Sequence, residues 1–224
     1  MLHEHKETIP SIIRDYPDWH RGRKEYHVWL IELGSEEILQ KVEAAREHLS
    51  GYLLEPYRRL PHITLFVCGF PAYNALYDDD YTREQLLAQT QLLGNSKIKP
   101  FQIEICGLNS FASAPFLEVH DREGGIESIR SLLSSTAVDI GRQKTFTPHV
   151  TVGLYSGAFC SKEVGRRIAA FSEEPVGTRV ERITLGSYQA EEIAGALNFK
   201  FHVPLRQGEG LQRDTSGCTG RVQG

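Results

Sequence analysis

Two short phrases, LPHITLFV at 60–67 and FTPHVTVG at 146–153, constrain this chain more than any other feature. Each sets a Pro-His-x-Thr unit inside a run of β-branched and aliphatic residues, the composition of a strand. Successive side chains of a strand point to opposite faces. His62 and Thr64 therefore share one face, with Ile63, Leu65 and Val67 on the other. In the second phrase His149 and Thr151 share a face, against Val150, Val152 and Leu154. Each strand offers a dry side for a core and an imidazole–hydroxyl pair on its reverse. A lone His-x-Thr arises by chance in roughly a third of chains this long. Requiring the proline and the flanking apolar residues lowers each match to roughly one in several hundred chains. Two such matches in equivalent halves are not accidental.

The surrounding order of elements suggests that duplication. A strand over 25–33 leads into a helix N-capped by Ser35, with Ile38, Val42, Ala45 and Leu49 at helical spacing and Gly51 as its stop. The first motif strand spans 60–70. A second helix over 81–94 has Thr82 as N-cap and Leu86, Leu87 and Leu93 as its buried stripe. Strands follow at 99–111 and 115–121, a helix at 124–141, the second motif strand at 145–155 and a short helix at 161–171. Closing strands are expected at 178–189 and 197–205. Strands that follow one another directly, mixed with helices, predict an α+β fold. The second half reads as a loose copy of the first. This predicts two lobes with antiparallel or mixed sheets facing a central groove, helices outside. The domain spans 25–205, preceded by a polar, solvated leader (1–24) and followed by a disordered tail (206–224) with almost nothing apolar to bury.

Bulk properties exclude several classes. A net charge of −4 argues against a surface built to hold long nucleic acid. The charged start has no apolar segment of a secretory signal, and no apolar run approaches the roughly 20 residues of a membrane span. Cys68, Cys106, Cys160 and Cys218 are scattered, with no pair at metal-ligand spacing, and read as free thiols of a reducing compartment. The expected location is the cytoplasm.

The chemistry narrows by elimination. Zinc sites want further Cys, His or carboxylate ligands at characteristic spacings, and threonine is a poor ligand. There is no G-x-S-x-G elbow and no Walker motif. Concerted general acid–base catalysis fits two histidines: near neutral pH one imidazole can be neutral and the other protonated. The threonine hydroxyls can donate to phosphoryl oxygens. In-line displacement at phosphorus needs a base and an acid on opposite sides, so a phosphodiester is the natural substrate. Tyr155, on the face of His149 if the strand stays extended, is a candidate for base stacking. Arg58 and Arg59 are candidates for phosphate attraction, and Thr147 shares the His149 face. His27, His120 and His202 lack the paired threonine and read as structural.

The paired Pro-His-x-Thr phrases resemble the signature of the two-histidine phosphoesterases, and most nearly their RNA 2′,3′-cyclic phosphodiesterase branch, once called 2′-5′ RNA ligases. The resemblance covers roughly 25–205 and includes GLNSFASAPFLEV at 107–119, similar to that family's Phe-containing turn. It implies a bilobal pseudo-twofold fold and metal-independent, cofactor-free opening of a 2′,3′-cyclic phosphate to a 2′-phosphate by a monomer. The partner would be a nucleotide or short RNA bearing the cyclic phosphate. Position by position it makes His62 and His149 the catalytic pair and Thr64 and Thr151 phosphate donors. It gives His149 as base and His62 as acid, while the symmetry leaves the reverse open. The tyrosine-rich, acidic insertion within 68–82 departs from the family and, if it borders the groove, favours a small base-stacking substrate. Hydrolysis of 2′-5′-linked or cyclic oligonucleotides, and a non-catalytic nucleotide- or RNA-binding module, are the competing readings.

Overall fold

A computed structural model describes residues 1–141 and 145–206; the tail expected at 206–224 lies, beyond Arg206, outside the described residues. Among the described residues nine strands form two sheets. The first, mixed, has the order β3-β2-β1-β8-β9, built from β1 (Glu25–Glu32), β2 (His62–Ala72), β3 (Asp80–Thr82), β8 (Arg182–Gln189) and β9 (Asn198–Pro204). Among the described strands only β3 runs parallel to its neighbour. The second sheet is antiparallel, β6-β5-β4-β7, from β4 (Phe101–Ser110), β5 (Pro115–His120), β6 (His149–Thr151) and β7 (Val176–Val180). The helices are α1 (Pro17–His20), α2 (Glu36–His48), α3 (Arg83–Asn95), α4 (Gly125–Ser134) and α5 (Ser161–Ala169). Each sheet carries one motif strand, β2 in the first and β6 in the second.

Local chemistry explains the helix starts. Ser35 accepts from the Ile38 amide at 3.4 Å and opens α2. Thr82 and Gln85 form a reciprocal capping box, Gln85 N to Thr82 Oγ1 at 3.3 Å and Thr82 N to Gln85 Oε1 at 2.7 Å. Core packing then fixes the faces. Ile63 and Leu65 on β2 and Val150 on β6 are fully buried, while His62, Thr64, His149 and Thr151 are half-buried, as the alternation requires. Burial of each such aliphatic side chain stabilises by about 1.5–3 kcal/mol.

One polar hub ties the first sheet to its helices. Gln89 of α3 accepts from Trp29 Nε1 at 2.8 Å and from the Tyr81 hydroxyl at 2.5 Å, and donates to the Leu133 carbonyl at 2.9 Å. All three partners and the amide lie away from water. Gln89→Leu would strand two donors and an acceptor, each costing about 1–3 kcal/mol when buried without a partner. Thermal denaturation should show a loss of at least about 3 kcal/mol; a loss below about 1 kcal/mol would refute the hub.

Several sequence expectations change. The strand expected over 178–189 is two strands in different sheets: the chain crosses from the second sheet to the first at Glu181, so one short link couples the lobes. The second motif strand is three residues, not the whole of 145–155. The leader is not merely solvated. Thr8 donates to the Gly157 carbonyl and accepts from the Phe159 amide, both at 2.8 Å, and Leu2 is buried against Tyr155 and Val164. Arg23 ends the leader with bonds to Asp79 at 2.7 Å and Asp80 at 2.5 Å, and stacks on Phe70 at 3.7 Å. Two of the three acids of the insertion are thus taken up by a leader arginine. Gly69, at φ 107°, admits the Asp79 carbonyl at a distance no Cβ could tolerate.

Candidate active site

The two motif histidines are anchored identically. His62 Nδ1 lies 2.8 Å from the Leu60 carbonyl, and His149 Nδ1 lies 2.7 Å from the Thr147 carbonyl. A carbonyl only accepts, so in both rings Nδ1 carries the proton and Nε2 presents a lone pair. In each case the partner is two residues upstream, across the motif proline. The Pro-His unit thereby fixes both the tautomer and the ring angle. Among the described residues neither Nε2 has a hydrogen-bond partner.

The strands that carry them approach one another although they belong to different sheets. A cavity of about 130 Å³ is lined by Thr64 from β2, His149 from β6, and Thr147, Arg130, Phe111 and Phe146 around them. The edge of the His149 ring is packed by Phe111 (centroids 5.0 Å apart) and Phe116 (5.3 Å), which stack on each other at 4.3 Å. Phe111 belongs to the 107–119 turn. Thr151 is opposite Phe116 in the β5–β6 register and shares the His149 face.

Electrostatics favour neutral imidazoles in the free protein. Burial depresses His62 to about 4, aided by the charges of Arg59 and His149, against the bond to Leu60 that pulls it back up. His149 is also lowered, by burial, with the Thr147 bond opposing. A histidine whose folded value is depressed contributes stability that is complete above about 6.5 and is lost as pH falls toward 4. The melting temperature should therefore decline through that window, and less steeply in His62→Gln; parallel profiles would show that His62 is not the group responsible.

The other candidates separate. Arg59 stacks on Tyr188 at 4.3 Å, its charge helps to lower His62, and its buried Nε lacks a partner among the described residues. Arg58 points away into an exposed ion pair with Glu192 at 2.8 Å. Thr147 lines the cavity and supplies the His149 anchor. Tyr155 does not face the groove: it is fully buried, its hydroxyl 2.6 Å from Ser110 Oγ. The cause is the early end of β6. Beyond Thr151 the alternation slips, so Tyr155 takes the core side and Leu154 does not.

The sequence reading missed Arg130. This largely buried side chain bonds the Leu65 carbonyl, sits 3.2 Å from Asp139 and stacks on Phe146 at 3.6 Å. Asp139 is itself held by the amides of Val67 (3.0 Å) and Gly141 (3.1 Å). A guanidinium fixed between a carboxylate and an aromatic ring forms one wall of the cavity. Nothing in the sequence distinguished Arg130 from an ordinary surface arginine of an amphipathic helix. His202, read as structural, bonds Thr184 at 2.9 Å and Glu32 at 3.0 Å.

Two sheets with a histidine–threonine strand in each, meeting at one cavity, define a two-histidine phosphoesterase fold. A family model described as the 2′-5′ RNA ligase superfamily matches residues 34–192, and the chain belongs to that superfamily. Escherichia coli LigT in complex with 3′-AMP shares 16% identity at a TM-score of 0.56, covering 82% of this chain and 99% of that one. The same protein with NADP+ gives 17% and 0.54 with the same coverage, and TT0787 of Thermus thermophilus gives 18% and 0.52 over 82% and 99%. At such identities these likenesses concern the fold. No curated protein matches the chain. Among the described residues no helix is long and apolar enough to cross a membrane.

Proposed function

We propose that this protein hydrolyses a nucleoside or RNA 2′,3′-cyclic phosphate to a 2′-phosphate by two-histidine acid–base catalysis, without a metal in the chemical step. The observation that carries the reading is the matched pair of Nδ1–carbonyl anchors, which leave both Nε2 atoms without a partner among the described residues, His149 in the cavity wall and His62 two residues before the Thr64 that also lines it. One neutral Nε2 takes a proton from water as its oxygen bonds to phosphorus. The protonated Nε2 of the other histidine gives its proton to the 3′-oxygen as the P–O3′ bond breaks. The product is a 2′-phosphate monoester, and the two rings have exchanged protonation states. Thr64 and Thr151 donate to the non-bridging oxygens, and Arg130 and Arg59 add positive potential. LigT complexes with 3′-AMP and NADP+ are consistent with nucleotide ligands for this fold.

The resemblance gives His149 as base and His62 as acid. Burial lowers both rings and both carry the same anchor, so the geometry permits either assignment. Both lie below the ordinary 6.5, so the kcat/KM profile, which reports the free protein, should peak on the acid side of 6.5. An optimum above about pH 7 would overturn these protonation states.

The function itself is tested by turnover of 2′,3′-cyclic AMP and of a short RNA ending in a 2′,3′-cyclic phosphate, with EDTA present. A 2′-phosphate product supports the proposal. Binding of both without turnover would favour the nucleotide-binding module, and turnover of 2′-5′-linked or cyclic oligonucleotides alone would move the substrate class.

A further inference from the structure

We propose that Glu104, Cys106 and His120 form a binding site for one thiophilic divalent cation of the zinc type. One ligand atom from each residue lies within 4.8 Å of the others. Cys106 Sγ and His120 Nδ1 are 3.3 Å apart. A tetrahedral zinc, with bonds of about 2.3 Å to sulfur and about 2.05 Å to nitrogen, holds those two atoms about 3.6 Å apart. Seating the ion needs a shift of only a few tenths of an ångström between them.

The strand pairing builds this cluster. Glu104 of β4 stands opposite His120 of β5, and Cys106 follows Glu104 by two residues on the same face, beside a register irregularity between Ile105 and Leu108. Ile103, Ile105, Leu117 and Val119 take the alternate positions and fill the core. The ligands grade outward: the thiol is buried, the carboxylate half-buried and the imidazole exposed. A cation can therefore enter from solvent and keep a fourth position for water. Glu104 now pairs with Arg122 at 3.0 Å, but Arg122 is 79% exposed and such a surface pair costs little to exchange. On binding, the Cys106 proton leaves to solvent and the thiolate, the imidazole Nδ1 lone pair and a carboxylate oxygen become ligands. A reactive-thiol role fits less well, because burial pushes the Cys106 thiol up, away from the thiolate a nucleophile needs.

The site is separate from the catalytic pair yet on the same face of its sheet. Phe116, Glu118 and His120 alternate together along β5, and Glu118 is the register partner of His149. Sequence spacing could not reveal the cluster, since its cysteine and histidine meet across two strands.

The test titrates Co2+ into the metal-free full chain and reads thiolate-to-cobalt charge-transfer absorption in the near ultraviolet, then competes it with Zn2+. One saturating equivalent is expected, displaced by Zn2+, with the band lost in Cys106→Ser and affinity at least about tenfold weaker in His120→Ala. Cys160→Ser and His62→Gln should leave the band intact. Absence of a saturable band, or a band that survives Cys106→Ser, would overturn the site. Should Cys106→Ser fail to fold, His120→Ala decides at an exposed position: unchanged Co2+ affinity refutes the proposal.

Discussion

His149→Gln and His62→Gln should each lower kcat on a 2′,3′-cyclic phosphate by about 10²–10⁴-fold, the usual worth of one positioned proton transfer. Glutamine fills much of the imidazole volume and retains a polar group, but does not titrate. Both rings are half-buried at strand ends rather than in the core, so the fold should persist. The double variant should lose little more than the worse single one, because the two transfers serve one displacement. A substrate with a p-nitrophenolate leaving group separates the roles. That group departs without a proton, so the variant lacking the acid should recover most of its rate and the variant lacking the base should not. Recovery in His149→Gln would make His62 the base, and recovery in His62→Gln would make His149 the base. Full activity of either variant on the cyclic phosphate would end the two-histidine reading.

What the sequence made legible was what local chemistry decides. The Ser35 and Thr82 caps, the alternation around His62 and His149, and the existence of two sheets each holding one motif follow from spacing and propensity. Hidden features are tertiary. Nothing local marks Glu181 as the place where one apparent strand becomes two, because both halves have strand-like composition. The Tyr155 assignment failed for a related reason: it extended the alternation of β6 beyond Thr151, where pairing with β5 has already ended. The leader looked solvated because its ties to the domain are isolated ones, the Thr8 hydroxyl, the Arg23 guanidinium and a lone buried leucine, which leave no periodic trace. Arg130 and the Glu104–Cys106–His120 cluster depend on which elements lie side by side.

Thr64→Val should lower kcat by about 10²-fold, the lower range seen when a donor to developing charge is removed. Valine preserves the β-branched shape and the half-buried packing of β2, so the change isolates the hydroxyl. Thr64→Ser, which keeps the hydroxyl, should restore activity to within a few-fold. Thr151→Val should act in the same direction, but the two sites need not be equal. Thr64 lines the cavity together with His149 and Arg130, whereas Thr151 lies at the edge strand of its sheet. The phosphoryl oxygen nearest Thr64 would also lie near the guanidinium, so that hydroxyl and that charge serve the same developing negative charge. Coupling between Thr64→Val and Arg130→Lys, measured as a double-mutant cycle on kcat/KM, should then be non-additive. Additive losses would place Arg130 in support of the Leu65 carbonyl and Asp139 alone, and an unchanged kcat in Thr64→Val would remove the threonines from the reaction.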